Sequence, residues 1–576
     1  MGGSGRDSRP RPAIRSALTG SALFPLTRVR APAVSRWRLT WVLILGALAV
    51  AFVAALPLFV VAGRAVTAAP SVWLGLWSGQ IPGLLGNTLA LVVATVSFAV
   101  VIGVALAWLT ERTDLPGAPL WRWALAIPLV IPAYVAALAL IVLLRRGGLI
   151  DRFLTGALGA VPGTVPLPDL FGLGGATLTI ALCVFPYVYL PAAVALRSQD
   201  RALEDASRLA GRGRVTTLIR VTLPLAAPAI AAGALLVGLY VLSDFGTVSL
   251  LRYRTFTTVI FNQFAGQIDR SAAACLSVIL IVLTTPMLAV EALLSRRGRR
   301  LAAASGWRPP RRHALGAWRV PALGGVILVA VLSLGVPLFT LGGLALQGWL
   351  APTDVDRVWS VGNDGLGQQT LNSLVVSALA ATVALTCAFA PALLAARYPS
   401  WPSRVLLGLC LSAAILPGLI VGLALVLFLA TWAPAVHGTA LGLGLGLTLR
   451  ALPSALAAAE PALRGVPPLF ERAARSLGSS PVAVLRRITL PLAAPGLSGG
   501  WVLAFLTAMK ELPTALMMRP PGFDTLPVRI MAAANESVYT QAAPPALALV
   551  AATALPLLLL ARRGERGLEG AARTNG

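Results

Sequence analysis

EDASRLAGRGRVTTLIRVTLPLAAP (residues 204–228) and ERAARSLGSSPVAVLRRITLPLAAP (residues 471–495) are one segment written twice, 267 residues apart and without a gap. Thr222 to Pro228 and Thr489 to Pro495 are identical heptapeptides. A repeat on this scale makes the 576-residue chain a duplication. A second match lies earlier, at an offset of 285: Asn87 and Leu89 pair with Asn372 and Leu374, and Pro132 pairs with Pro417. The offsets differ by 18 residues, an excess that the first half carries in the Gly/Pro-rich stretch around 145–175.

The segments between these landmarks are too apolar for a water-soluble protein. Charged residues make up 12% of the chain and the mean hydropathy is +0.82, whereas a soluble domain has about 25% charged residues. Trp41 to Val61, Asn87 to Leu109, Trp123 to Leu144 and Ala176 to Leu196 hold no charge. Each reaches or exceeds the roughly 20 residues that a helix needs to cross a bilayer. None alternates with period 2, so helices fit and a barrel does not. The sequence places twelve spans, near 40–62, 87–109, 123–144, 174–196, 227–247, 272–294, 321–346, 372–396, 404–430, 438–457, 494–515 and 542–561. The expected fold is an all-α polytopic membrane protein of two homologous six-helix lobes. Six is even, so both lobes insert with the same orientation, related by an axis along the membrane normal.

The net charge of +26 falls into place on that scheme. Arg crowds the segment before the first span, the loops after the fourth, sixth and tenth, and the C-terminal tail; Arg64 and Arg357 stand alone after the first and seventh. The positive-inside rule then puts both termini in the cytoplasm and accounts for the charge without nucleic acid. The expected divisions are a basic, disordered cytoplasmic tail at 1–39, lobe one at 40–295, a basic cytoplasmic linker at 296–320, lobe two at 321–562 and a cytoplasmic tail at 563–576. The four Cys (Cys183, Cys275, Cys387, Cys410) lie in or beside apolar runs without a C-x-x-C, and read as buried small side chains.

The repeated segment lies in the loop between the fourth and fifth spans of each lobe. Helix formers lead to Gly211 and to Gly478, each read as a helix end or tight turn. A second short helix is expected to stop before Leu223-Pro224 and Leu490-Pro491, with Pro starting the next helix. A solvated positive loop explains the Arg residues but not the shared Gly-to-Pro spacing of 13, which points to a docking function.

The pattern resembles the EAA loop of ATP-binding-cassette (ABC) importer permeases, with Glu, Ala, Gly and a downstream Leu-Pro at family spacing. The resemblance implies the type I importer permease fold, with a coupling helix from each loop inserted into a groove on an ATPase subunit. Glu204, Ala206, Gly211 and Pro224 carry the motif in lobe one; Glu471, Ala473, Ala474, Gly478 and Pro491 carry it in lobe two. Asp205 and Ser207 stand where the pattern often has Ala. The implied partners are two copies of a cytoplasmic ATPase, a periplasmic or lipid-anchored substrate-binding protein and membrane lipid, in a bacterial inner membrane. ATP belongs to the partner: the chain has a single Lys, Lys510, flanked by Met509 and Glu511, and no phosphate-binding G-x-x-x-x-G-K-[ST]. No cofactor, metal or catalytic residue is expected on this chain. Gly496 to Gly500 matches G-x-S-x-G but opens an apolar span, and the chain has two His, so a nucleophile elbow is discounted.

Lys-Glu-Leu-Pro (510–513) and Arg-Pro-Pro-Gly-Phe-Asp-Thr-Leu (519–526) resemble the fused permeases of the ferric-iron uptake family. Thiamine is the alternative cargo, with polyamine, phosphonate and sulfate behind it; a secondary transporter is the alternative of another class. Ser243-Asp244 pairs with Lys510-Glu511 at the 267 offset. Ionisable groups so deep in a span usually face a polar cavity, so Asp244, Lys510 and Glu511 are candidate pathway residues, with Asp244 and Glu511 facing each other across the lobe axis. The competing reading is snorkelling, with Lys510 reaching the headgroups.

Overall fold

A backbone in hydrocarbon must satisfy its own N–H and C=O groups, and this chain does so with helices. The computed structural model describes residues 33–159, 161, 167–266, 269–301, 312–352 and 365–574. Residues 1–32 of the expected N-terminal tail and 302–311 of the expected linker lie outside it. Among the described residues the regular structure is helical, with one isolated β-bridge between Thr113 and His313.

Among the described residues nine helices are long and apolar enough to cross a membrane: Thr40–Val66, Ile81–Arg112, Arg214–Ser243, Arg270–Glu291, Gly316–Leu350, Leu366–Arg397, Ala440–Gly465, Pro481–Met509 and Tyr539–Leu558. Three further spans are bent pairs: Ala118–Val130 with Ala133–Leu144 at 92°, Leu173–Val184 with Pro186–Ser198 at 42°, and Trp401–Ala414 with Gly418–Trp432 at 98°. Counting each pair once gives the twelve expected spans, but the third of each lobe turns through a right angle. Pro132 and Pro417, matched in the sequence, sit at the two right-angle breaks with extended ψ values of 139° and 145°. Proline has no N–H to continue a helix and pushes the residue before it out of the α region.

The lobes are interlocked. The first span of lobe one packs on Leu366–Arg397, Trp401–Cys410 and Gly418–Trp432 of lobe two. In return Val336–Leu350, in the first span of lobe two, packs on Ala133–Leu144 of lobe one. The breaks are tied across the axis as well. Thr284 donates its hydroxyl to the Ile415 carbonyl at 3.0 Å, and Thr553 donates to the Val130 carbonyl at 3.4 Å. Each acceptor lies two residues before a break proline, where a helix end leaves carbonyls without an intrahelical donor. The sixth span of each lobe thus supplies a hydrogen bond that the bent third span of the other lacks.

Candidate coupling and translocation site

The repeated loops fold alike. The helices Arg201–Leu209 and Pro468–Ser476 end at Gly211 and Gly478, whose φ values are +78° and +85°. Gly211 N bonds to the Arg208 carbonyl and Arg212 N to the Ser207 carbonyl (2.9 and 3.2 Å); Gly478 and Ser479 repeat the pattern on Arg475 and Ala474 (3.0 Å each). That is a Schellman closure, which needs the left-handed region that glycine enters without cost. A Cβ at either position would meet nothing within 4 Å, so backbone conformation rather than space demands glycine.

The expected stop before Leu-Pro is absent. Arg214–Thr217 runs through a π-helical turn, Leu218–Thr222, into Leu223–Ser243; Pro481–Val484 runs through Leu485–Thr489 into Leu490–Met509. The wider turn absorbs Pro224 and Pro491 near the start of each following helix, so the chain stays helical across the proline. The second short helix is the near end of the fifth span.

Glu204 and Glu471 are buried rather than displayed, with 5% and 6% of their surface exposed. Glu204 pairs with Arg112, which is fully buried and also bonds the Leu196 carbonyl at 3.2 Å. Glu471 pairs with Arg397 at 2.7 Å, while Arg475 stands 3.5 Å away. Thr222 and Thr489, the first residues of the identical heptapeptides, donate to these carboxylates at 3.2 and 2.9 Å. Arg112 and Arg397 are the last residues of the second-span helices. Reading residues by motif alone missed them, although they stand 285 apart, the offset already found at Asn87 and Asn372.

The motif Glu therefore clamps each loop to its own second span, and other residues make the outer surface. Ala206, Gly211, Ala473 and Gly478 are exposed, as are Pro224 and Pro491; Ala474 is half-buried. Large apolar side chains stand out at matching places: Leu203 and Phe470 (49% and 52% exposed), Val215 and Val482 (68% and 62%), with Leu209 and Leu477 beside the turn glycines. Leu203, Leu209, Phe470 and Leu477 lie outside the long apolar spans, and Val215 and Val482 are the second residues of the fifth ones.

In lobe one the linker joins this corner. His313 N donates to the Arg112 carbonyl at 2.7 Å, and its ring stacks 5.5 Å from Trp108, under which Arg112 also lies. Burial first, then the nearby charges of Arg208, Arg112 and Arg214, hold the His313 pKa below 6.5.

The three deep residues lie at the breaks of the two fifth spans. The fifth spans break after Ser243 and Met509, and short helices begin at Gly246 and Pro513. Asp244 caps the first: Oδ1 accepts from Thr247 N and Val248 N at 3.0 and 3.2 Å, and Oδ2 from the Thr247 hydroxyl at 2.9 Å. Glu511 accepts from the Thr514 hydroxyl at 2.8 Å and pairs with Arg450 at 3.1 Å. Among the described residues no cation pairs with Asp244; the lobe-one position matching Arg450 at the 267 offset is Cys183. Lys510 does not snorkel. Its ammonium donates to the Leu129 carbonyl of the opposite lobe at 2.9 Å, just before the break at Pro132. A Cβ on Gly246 would stand 2.7 Å from the Leu512 side chain and 2.9 Å from that of Tyr134, so the two breaks touch. Among the described residues no cluster of three His, Cys, Asp or Glu is placed to hold a metal.

Residues 99–300 and 388–562 match the family described as binding-protein-dependent transport system inner membrane component, one segment in each lobe. The Fe(3+)-transport system permease protein FbpB 2 of Haemophilus influenzae is 29% identical over 490 residues, 84% of this chain and 90% of the relative. The ferric transport system permease protein FbpB of Actinobacillus pleuropneumoniae is 23% identical over 76% of this chain and 64% of its own length. The molybdenum transport system permease protein ModB of Escherichia coli is 30% identical over 39% of this chain but 95% of its own length, the size of a single lobe.

Proposed function

The chain belongs to the binding-protein-dependent transport system inner membrane components, the permeases of ABC importers, and from that premise we propose that its cargo is ferric iron. The observation that carries the cargo is the 29% identity to an Fe(3+)-transport permease over 84% of this chain and 90% of the relative. The match runs through both lobes, whereas the molybdenum relative has the length of one.

In this reading the loops around Gly211 and Gly478 each seat one copy of a separate, ATP-hydrolysing subunit in the cytoplasm. The exposed Leu203, Val215, Phe470 and Val482 supply apolar contact, and the buried Arg–Glu clamps carry the ATPase's movement into the second and fifth spans. Both termini are cytoplasmic, in a bacterial inner membrane. A substrate-binding protein delivers cargo to the opposite face. The lobes divide at 40–295 and 321–562, joined by the linker at 296–320. The pathway opens where the third and fifth spans break, and Lys510 releases its cross-axis contact with the Leu129 carbonyl as it does.

Radio-iron uptake tests the reading. Cells with the intact transporter should accumulate iron in a manner that deletion of this chain abolishes, with labelled thiamine uptake unchanged. The reverse pattern would move the cargo to thiamine.

A further inference from the structure

At the helix ends remote from the coupling loops, the two lobes build corresponding loops of different charge, three residues longer in lobe two. In lobe two Arg519 is ion-paired with Asp524, and Asn372 donates to the Asp524 carbonyl at 3.2 Å. In lobe one Asn87 donates to the Arg254 carbonyl at 3.1 Å, so Arg254 occupies the place of Asp524. The neighbouring contacts agree: Leu526 N donates to the Ser373 hydroxyl, and Phe256 N to that of Thr88. Arg252 matches Arg519 at the 267 offset. A loop that neutralises itself in lobe two therefore carries in lobe one two guanidiniums that, among the described residues, have no carboxylate within 4 Å.

Those guanidinium residues line a cavity of about 410 Å³ together with Gln80, Tyr253, Asn262 and Gln263, and no Asp or Glu lines it. The volume falls in the roughly 300–1,000 Å³ range of small-molecule sites. Arg252 adopts φ +54°, and its guanidinium lies 4.9 Å over the Phe171 ring. Gln80 and Gln263 have buried side-chain oxygens that take no hydrogen bond among the described residues. Both residues line the cavity, and a Gln amide has N–H donors to offer an anion.

We propose that this cavity binds a small polyvalent anion, an oxyanion or a polycarboxylate, gripped by the Arg252 and Arg254 guanidiniums with the Gln amides completing its hydrogen bonds. The guanidinium fork matches carboxylate and phosphate geometry. The site is independent of the cargo reading. A lipid headgroup phosphate offers the same chemistry from another source.

The test uses the full chain in nanodiscs of neutral phosphatidylcholine, titrated calorimetrically with inorganic phosphate and with citrate at constant ionic strength. Saturable binding is expected, weakened tenfold or more by Arg254→Asp, which puts a carboxylate on the cavity rim. Arg254→Gln should weaken it as well. Arg64→Asp, the same charge change at an exposed position on the same face, should leave it unchanged. If anionic phosphatidylglycerol discs abolish the titration, the headgroup is the natural source; if binding persists, it is a free anion. Wild-type affinity in monodisperse Arg254→Asp protein, equal loss in Arg64→Asp, or no saturable binding in neutral discs would overturn the proposal.

Discussion

Replacing Arg112 or Arg397 by Met removes a charge from each clamp while keeping most of the apolar stem. The two variants should differ. Arg112→Met leaves the Glu204 carboxylate, 5% exposed, with Thr222 and, among the described residues, no other cation within 4 Å. Breaking a buried pair in this way costs about 3–5 kcal/mol. Arg397→Met leaves Glu471 with Thr489 and with Arg475 at 3.5 Å, and Arg397 is itself partly exposed. Arg397 gives Nε to Glu471 at 2.9 Å and a second guanidinium nitrogen to the Val466 carbonyl at 3.1 Å; with Arg475 taking up part of the charge, the net loss is about 1.5–3 kcal/mol. At about 1.4 kcal/mol per tenfold, opening of the lobe-one loop should rise by roughly 150-fold to several thousandfold, and that of lobe two by roughly 10- to 150-fold. Hydrogen exchange of the amides at 205–217 and 472–484 in the isolated permease reads both directly. Adding Glu204→Leu to Arg112→Met removes the stranded charge and should restore protection, since apolar replacement of a buried pair is often neutral. Wild-type exchange in Arg112→Met, or a double variant no better protected than the single one, would refute the clamp.

Gly211→Ala and Gly478→Ala should each cost about 1–2 kcal/mol, because a Cβ strains the left-handed turn although it meets no neighbour; Asn should be better tolerated. Gly211→Glu or Gly478→Glu should insert normally, lose ATPase in co-purification and abolish uptake. Glu511→Gln should cut uptake roughly tenfold, in line with one lost charged hydrogen bond to Arg450, with ATPase and binding-protein association unchanged; Asp244→Asn, which keeps an acceptor for the Thr247 cap, should be milder. The pKa of docked His313 is held below 6.5 by burial and by Arg208, Arg112 and Arg214. The released linker therefore binds more protons, so docking is fully stable above about pH 6.5 and weakens as pH falls below it. Exchange of the 312–315 amides should show that acid-side loss, and His313→Phe, which keeps a ring against Trp108, should abolish it.

Duplication, span number and the turn at Gly211 and Gly478 were legible in the sequence because each rests on local residue chemistry: apolar length, glycine, a fixed spacing. The right-angle breaks were half legible. Pro132 and Pro417 stood out as a match, yet proline alone allows anything from a mild kink to a full stop, and the hydroxyls of Thr284 and Thr553 that reach the carbonyls before the breaks come from the opposite lobe. The π turns before Pro224 and Pro491 were missed because proline was read as a terminator, while one extra residue per turn lets the helix pass it. The motif Glu was assigned to the interface by resemblance. Its burial depends on Arg112 and Arg397, distant in sequence, which no local pattern around the loop contains. Lys510 was ambiguous for a similar reason: its acceptor, the Leu129 carbonyl, belongs to the other lobe and exists only because a helix ends there.

One chain carries two coupling loops of matching geometry, so the claim that each seats an ATPase has a direct measurement: native mass spectrometry of the transporter purified from a tag on this chain. One copy of this chain with two copies of the ATPase is the expected mass, falling to one ATPase when Gly211→Glu or Gly478→Glu disables a single loop. Two copies of this chain per ATPase pair, or an unchanged complex when both loops are altered, would contradict it.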